Sequence, residues 1–316
     1  MNSVIYFLAR MMVALLQAMP LLWVARLGRC GGEAVFWLDG RHRKVALQNL
    51  TLCFQGEKSP AEIRALAHEN FRRIGENFCC SIKTASMTEK ELKRVMEVSG
   101  MAAVPAANGG RPEANLIFAS GHFGNFELFS RLSAFIRGYH IASTYRGMRP
   151  AALDRMVTSL RQFSGTTMYE RRTGSEALKK AMSEGGQLLV LFSDQSTRSN
   201  GMELPFFGRP CWTSRAPALM AMRYKSALFV PICYRTSLGR WRIELGEPIA
   251  THQDGARRSV EAVTRDMNTA MEMAIRRDPA NWFWVHNRWK LRSADEAAAP
   301  TAEAEALSSS MQKHEA

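Results

Sequence analysis

Between residues 115 and 277, five apolar runs of strand length (115–120, 139–144, 187–193, 227–234 and 241–245) alternate with helical patterns. The helical patterns lie near 126–137, 151–164, 174–184, 213–224 and 257–277. Alternation on this scale restricts the fold severely. Strands separated by helices stack as a mostly parallel central sheet with helices on its faces, so the predicted class is α/β. No internal repeat period competes with that layering.

Residues 30–104 read as a helical segment ahead of the α/β core at 115–292. Ser59 and Pro60 supply an N-cap and a first-turn proline, and apolar residues follow at Ile63, Leu66, Phe71, Ile74 and Phe78. Thr88 with Glu91 three residues on is a second capping signature. The stretch PAANGGRPEAN, 105–115, is the clearest loop, and the Ala/Glu/Ser tail from Ser293 to 316 is expected to be disordered.

The first 29 residues stand apart. VIYFLARMMVALLQAMPLLWVA is mostly apolar, but Arg10, Gln17 and Pro20 interrupt it, which leaves it short of an unbroken spanning segment of roughly 18 residues. Arg10 and Gln17 fall on one helical face. The expectation is a membrane-anchoring helix, lying flat or spanning; the alternative is a buried N-terminal helix of a soluble domain. No cleavage signal follows the apolar run. Arg26, Arg29, Arg41, Arg43 and Lys44 come close behind it, which puts the bulk of the chain on the cytoplasmic side of the membrane.

Net charge sharpens the choice of partner. The chain carries +13, and the tail from Ser293 holds five acidic residues against one lysine, so the first 292 residues carry +17. Such an excess calls for an anionic partner: nucleic acid, phospholipid headgroups or an acidic carrier protein. A nucleic-acid binder is poorly matched, since zinc-finger spacing, an RNA-binding signature and a basic low-complexity arm are all missing. The six cysteines show no CxxC pairing and no zinc spacing. They read as buried thiols in a reducing compartment, with no metal and no cofactor expected.

The stretch ASGHFGNFELF, 119–129, carries the chemistry. His122 stands where a strand has just ended, and Phe126 or Glu127 opens the next helix. Sites in open α/β sheets lie at the carboxyl ends of strands. On one continuous helix two residues five apart diverge, but a strand-turn-helix path through Gly124 lets Glu127 fold back onto the imidazole. A carboxylate that fixes the histidine tautomer makes a general base, contributing roughly 10²–10⁴ in rate. The competing interpretation is a structural histidine beside a surface glutamate.

Six segments in order resemble the late (secondary) acyltransferases of lipid A biosynthesis, the lauroyl and myristoyl transferases. They are RHRKVALQNLTLCF, GHFGNFE, STYRGMRPAALDRMVTSLRQFSG, LLVLFSDQS, MELPFFGRPCWTSRAPALMA and NWFWVHNRWK, covering roughly residues 35–292. Phe126 stands where tryptophan is common in that family, and CFQG replaces a more usual Phe-Pro. The resemblance implies a glycerolipid-acyltransferase-like fold. It also implies transfer of a fatty acyl chain from an acyl carrier protein thioester to a hydroxyl of an acylated lipid A precursor. His122 would take the hydroxyl proton, Glu127 would orient His122, and Arg161, matching an Arg-x3-Gly pattern with Gly165, would stabilise the oxyanion or clamp phosphate.

Asn125, inside the same motif, is a further expected substrate contact. Tyr145 and Arg146 end a strand, and meet phosphate or carrier unless they are a solvated loop. Asp194 and Gln195 end another, where they position substrate or brace the site unless Asp194 caps the next segment. Phe206 and Phe207 line an acyl pocket or membrane loop, or pack in the core. Trp282, Trp284 and Trp289, interleaved with His286, Arg288 and Lys290, form an interfacial belt or a core cluster. Within enzymes the rivals are a same-fold acyltransferase on another glycolipid or on glycerophosphate, and a thioesterase.

Overall fold

The computed structural model describes residues 2–104, 112–147, 151–162, 165–197 and 201–289. Lys290 and the tail from Ser293 lie outside them. The chain opens with four long helices: α1 (Asn2–Ala18), α2 (Leu21–Leu38), α3 (Gly40–Phe54) and α4 (Pro60–Ala85). Helix α4 starts at a full capping box in which Ser59 Oγ accepts from Glu62 N while Glu62 Oε2 accepts from Ser59 N, at 3.3 and 2.8 Å. Its middle is pressed against α2. A Cβ at Gly28 or Gly75 would collide with the other's backbone carbonyl, so only glycine admits this approach. Glu76 is fully buried beside the crossing and paired with Arg29 and Arg235 at 3.3 and 2.9 Å.

The expected boundary after residue 29 falls inside α2. Among the described residues no helix is long and apolar enough to cross a membrane, so the expected anchor finds no support in its spanning form. What α1 and α2 do present is an apolar stripe. Phe7, Leu8, Met11, Met12 and Leu15 recur at helical spacing and stand 53–62% exposed, joined by Trp23 at 58%.

A one-turn helix α5 (Glu89–Leu92) and the short strand β1 (Met96–Ser99) lead into the α/β part. In order come β2 (Leu116–Ser120), β3 (His140–Tyr145), α6 (Ala151–Gln162), β4 (Thr167–Glu170), α7 (Ser175–Ser183) and β5 (Gln187–Phe192). Then follow the hairpin β6 (Gly201–Phe206) and β7 (Arg209–Ser214), α8 (Ala216–Arg223), and β8 (Ala227–Phe229). The chain closes with β9 (Ile232–Ser237), β10 (Arg240–Glu244), a minor hairpin of β11 (His252–Gln253) with β12 (Ala256–Arg257), and α9 (Val260–Arg277).

Five strands form the central sheet in the order β4-β3-β5-β2-β8, all parallel. Strands β2 and β5 are buried on both faces, and their side chains divide accordingly. Ile117, Ala119, Leu189 and Leu191 join the core with α3, α4, α8 and α9, while Leu116, Phe118, Leu188 and Val190 join the opposite core with α2 and Trp241. Two expectations change. The run 227–234 is two strands, because Pro231 cannot donate to a ladder: β8 stays in the central sheet and β9 pairs with β10 in a second one. The helix expected near 126–137 is a 3₁₀ helix over Phe126–Ala134. Of the six cysteines, all without disulfides, Cys30 is exposed and Cys79 half-buried rather than buried.

Candidate active site

The parallel pairing of β2 with β5 builds the site. Ser120 and Phe192, the last residues of the two strands, are register partners, so the residues two steps beyond each are neighbours. Those residues are His122 and Asp194. Asp194 Oδ1 lies 2.8 Å from His122 Nδ1, and Asp194 Oδ2 accepts from the His122 backbone N–H at 2.7 Å. The indole N–H of Trp282 donates to the same Oδ2 at 2.9 Å. Burial alone would raise the Asp194 carboxyl. The charge and hydrogen bonds of His122, with the Trp282 indole, outweigh that and hold it below the ordinary carboxylate value.

The His122 loop is held by fixed contacts. Gly124 has φ +59°, and a Cβ there would run into the Cys233 carbonyl; its N–H donates to Asn281 O at 2.9 Å. Phe123 bridges to Trp282. With Nδ1 committed to a carboxylate, Nε2 is the basic atom of the neutral imidazole. The ring is 21% exposed and sits among Phe126, Phe192 and Phe283, with centroids 4.8, 4.7 and 6.0 Å away.

His122 faces a cavity of about 620 Å³ at the carboxyl ends of β2, β3, β4 and β5, walled also by α6. Glu127 and Arg161 are both in its lining, joined by two hydrogen bonds, Nε to Oε2 at 2.8 Å and Nη2 to Oε1 at 2.5 Å. Burial would lower the Arg161 pKa, but the bonds and charge of Glu127, with Asp154 and Tyr145 nearby, together raise it further than burial lowers it. The carboxylate on His122 is therefore Asp194 and not Glu127. Glu127 sits in the first turn of the 3₁₀ helix and points across the cavity to α6, where the Arg161 guanidinium holds it with two hydrogen bonds.

Residues 1–291 match the family model described as bacterial lipid A biosynthesis acyltransferase. The chain belongs to that family. It is also 24% identical over 260 residues to a lipid A biosynthesis acyltransferase of Haemophilus influenzae, covering 80% of this chain and 78% of the relative. Over 278 residues it is 24% identical to a lipid A biosynthesis lauroyltransferase of Escherichia coli, covering 87% of each.

In this member of the family the remaining sequence candidates fall into three groups. Tyr145, Arg146 and Gln195 line the cavity with His122. Asn125 is 1% exposed; among the described residues its side-chain amide has no hydrogen-bond partner, and it faces a narrow fissure between α4 and the His122 loop. Phe206 and Phe207 are not in the cavity. Phe207 and Gly208 form the tip of the β6–β7 hairpin at φ +52° and +68°, and both phenylalanines pack into an aromatic core with Phe54, Trp282, Trp284 and Trp289. The tryptophan belt is likewise a core cluster: Trp282 and Trp284 are 1% and 0% exposed. Arg288 is buried with them, donating to Trp212 O and Thr213 Oγ1 at 2.6 and 2.7 Å.

Three site residues were not legible as such: the sequence offers no signal for Arg171 and places Trp282 and His286 only in an interfacial belt or a core cluster. Trp282 braces Asp194, and Arg171 lines the cavity mouth. His286 also lines the cavity, its Nε2 accepting from Ser196 N at 3.2 Å, and burial pushes its pKa down. An aromatic-basic run such as NWFWVHNRWK signals interest. Only the fold says which of its members face the site.

Proposed function

We propose that this chain transfers a fatty acyl group from an acyl carrier protein thioester to a hydroxyl of an acylated lipid A precursor, with His122 and Asp194 as the base and its orienting acid. The family supports the reaction class, and the 2.8 Å contact between His122 Nδ1 and Asp194, beside a cavity that can admit the reacting ends of the two substrates, carries the mechanism. Nε2 of His122 takes the acceptor hydroxyl proton as the oxygen attacks the thioester carbonyl. The tetrahedral intermediate collapses to the ester, breaking the C–S bond, and the imidazolium returns the proton to the departing thiolate. Asp194 stabilises the imidazolium meanwhile.

Glu127 and Arg161 serve together in this proposal. Their ion pair sets the direction of the Arg161 guanidinium along the cavity wall, where it meets the developing oxyanion or an anionic group of substrate. Tyr145, Arg146 and Gln195 complete the polar lining, while Asn125 and Asp194 stand behind His122. The apolar stripe of Phe7, Leu8, Met11, Met12 and Leu15, with Trp23, supports a monotopic seat on the inner membrane, and the +17 body favours anionic lipid and an acidic carrier.

The test is direct. Purified protein is incubated with acyl carrier thioester, with and without tetraacylated lipid A precursor. The expected result is one added acyl group in wild type and none above background in His122→Ala. Thioester hydrolysis that ignores the precursor would sink the proposal.

A further inference from the structure

Two cations at the cavity mouth have no part in proton transfer. Arg146 follows the last residue of β3 and Arg171 the last residue of β4. Tyr145 and Glu170 are register partners, and Arg171 N donates to Tyr145 O at 3.0 Å, so the two arginines stand side by side on adjacent parallel strands. Both line the cavity that holds His122. Like charges on neighbouring strands repel each other.

Of the carboxylates near them, Glu170 and Glu127 are already engaged, and Asp154 lines the cavity on α6, where its charge acts on Arg161. Glu170 Oε2 accepts from the backbone N–H groups of Arg172 and Thr173 at 2.7 and 3.0 Å and from the Thr173 hydroxyl at 3.2 Å. Glu127 is held by Arg161. Among the described residues neither Arg146 nor Arg171 forms an ion pair. Two guanidinium forks, each with up to five donors, thus border a polar cavity whose wall adds the Thr144 and Thr158 hydroxyls.

We propose that Arg146 and Arg171 form a subsite for a phosphate monoester on the acceptor. A monoester carries nearly two negative charges at neutral pH, matching two guanidiniums, whereas the diester of a carrier's thiol arm carries one. The position fits the role: the anion is gripped at the β3–β4 edge while the reacting hydroxyl reaches His122 at the β2–β5 edge of the same cavity. This rests on the acceptor class proposed above.

The experiment uses the full chain in dodecylmaltoside micelles and the double variant Arg146→Gln with Arg171→Gln, checked by thermal unfolding to be folded. Both residues are exposed, so an unaltered melting temperature is expected. Retention of bis-phosphorylated tetraacyl precursor is measured without donor, and KM is measured with donor for the phosphorylated and the dephosphorylated precursor. Charge-assisted bonds to phosphate predict a loss of retention and a rise in KM of about tenfold to a hundredfold in the variant. With the dephosphorylated precursor the difference between wild type and variant disappears. Equal retention by both proteins, no retention by either, an equal rise in KM for both precursors, or a rise confined to the carrier-linked donor overturns the subsite. Retention needs no turnover, so a wild type that holds the precursor but never acylates it counts against the proposed function alone.

Discussion

Asp194 holds His122 at two points, the backbone N–H at 2.7 Å and the ring Nδ1 at 2.8 Å, across 72 residues of chain. The first bond sets the loop and the second sets the tautomer. Asp194→Asn keeps the shape but offers an amide that can present its N–H to the ring, so the imidazole flips tautomer and loses its basic Nε2. The expected fall in kcat is about 10³–10⁴, the scale on which serine-protease triads respond to the same change. Steady-state transfer assays measure it, and a fall under tenfold would put another group in the orienting role.

Glu127 and Arg161 should behave as one unit. Either Glu127→Gln or Arg161→Met breaks a two-bond pair that is only about a quarter exposed, costing about 1–3 kcal/mol of stability, within the range for charged hydrogen bonds. A double-mutant cycle in kcat/KM is expected to show strong non-additivity, with the double variant little worse than either single. Independent effects would separate the two residues.

Acid should expose the Asp194 linkage. Its folded pKa is held below the ordinary value of 3.8, so the unfolded chain binds the proton more readily and stability rises with pH in that range. The stabilisation is complete above about pH 4 to 5 and is lost as pH falls through the lowered folded value. Denaturant melts from pH 6 to pH 2.5 should show that slope in wild type and a shallower one in Asp194→Asn.

Trp282→Phe tests the brace behind the carboxylate. The ring is fully buried, and the substitution removes the donor at 2.9 Å together with part of the indole volume. A stability loss of about 2–4 kcal/mol is expected from the lost charged hydrogen bond and the cavity left behind, read by chemical denaturation. In this variant kcat falls while KM for the donor changes little.

Gly124→Ala is expected to abolish activity more thoroughly than its size suggests. The φ of +59° disfavours any other residue, and a Cβ meets the Cys233 backbone, so the His122 loop must shift off its seat on Asn281 and Trp282. Transfer assays, with circular dichroism confirming retained secondary structure, separate this from wholesale unfolding.

The layered α/β class was legible because β2 and β5 are unbroken apolar runs between helical patterns, and His122 was legible because it follows one of those runs directly. Its partner was not. Local spacing favoured Glu127, five residues away, whereas the real contact depends on which strand lies beside β2, and strand order is not written in either strand. Phe206 and Phe207 misled for a related reason: a Phe-Phe-Gly turn looks exposed until α3 and the C-terminal tryptophans are known to cover it. Strand β4, four half-buried residues without a strong apolar run, hid Arg171 altogether.

The glycine crossing of α2 on α4 also limits how this chain can be shortened. A truncation after residue 38, attempted to gain solubility, would peel away the helix that fits against Gly75 and take Arg29 from the interior carboxylate of Glu76. The remainder would carry an open trench along its longest helix and an acid missing one of its counter-ions, so the apolar-faced end of this chain is also one of its structural walls.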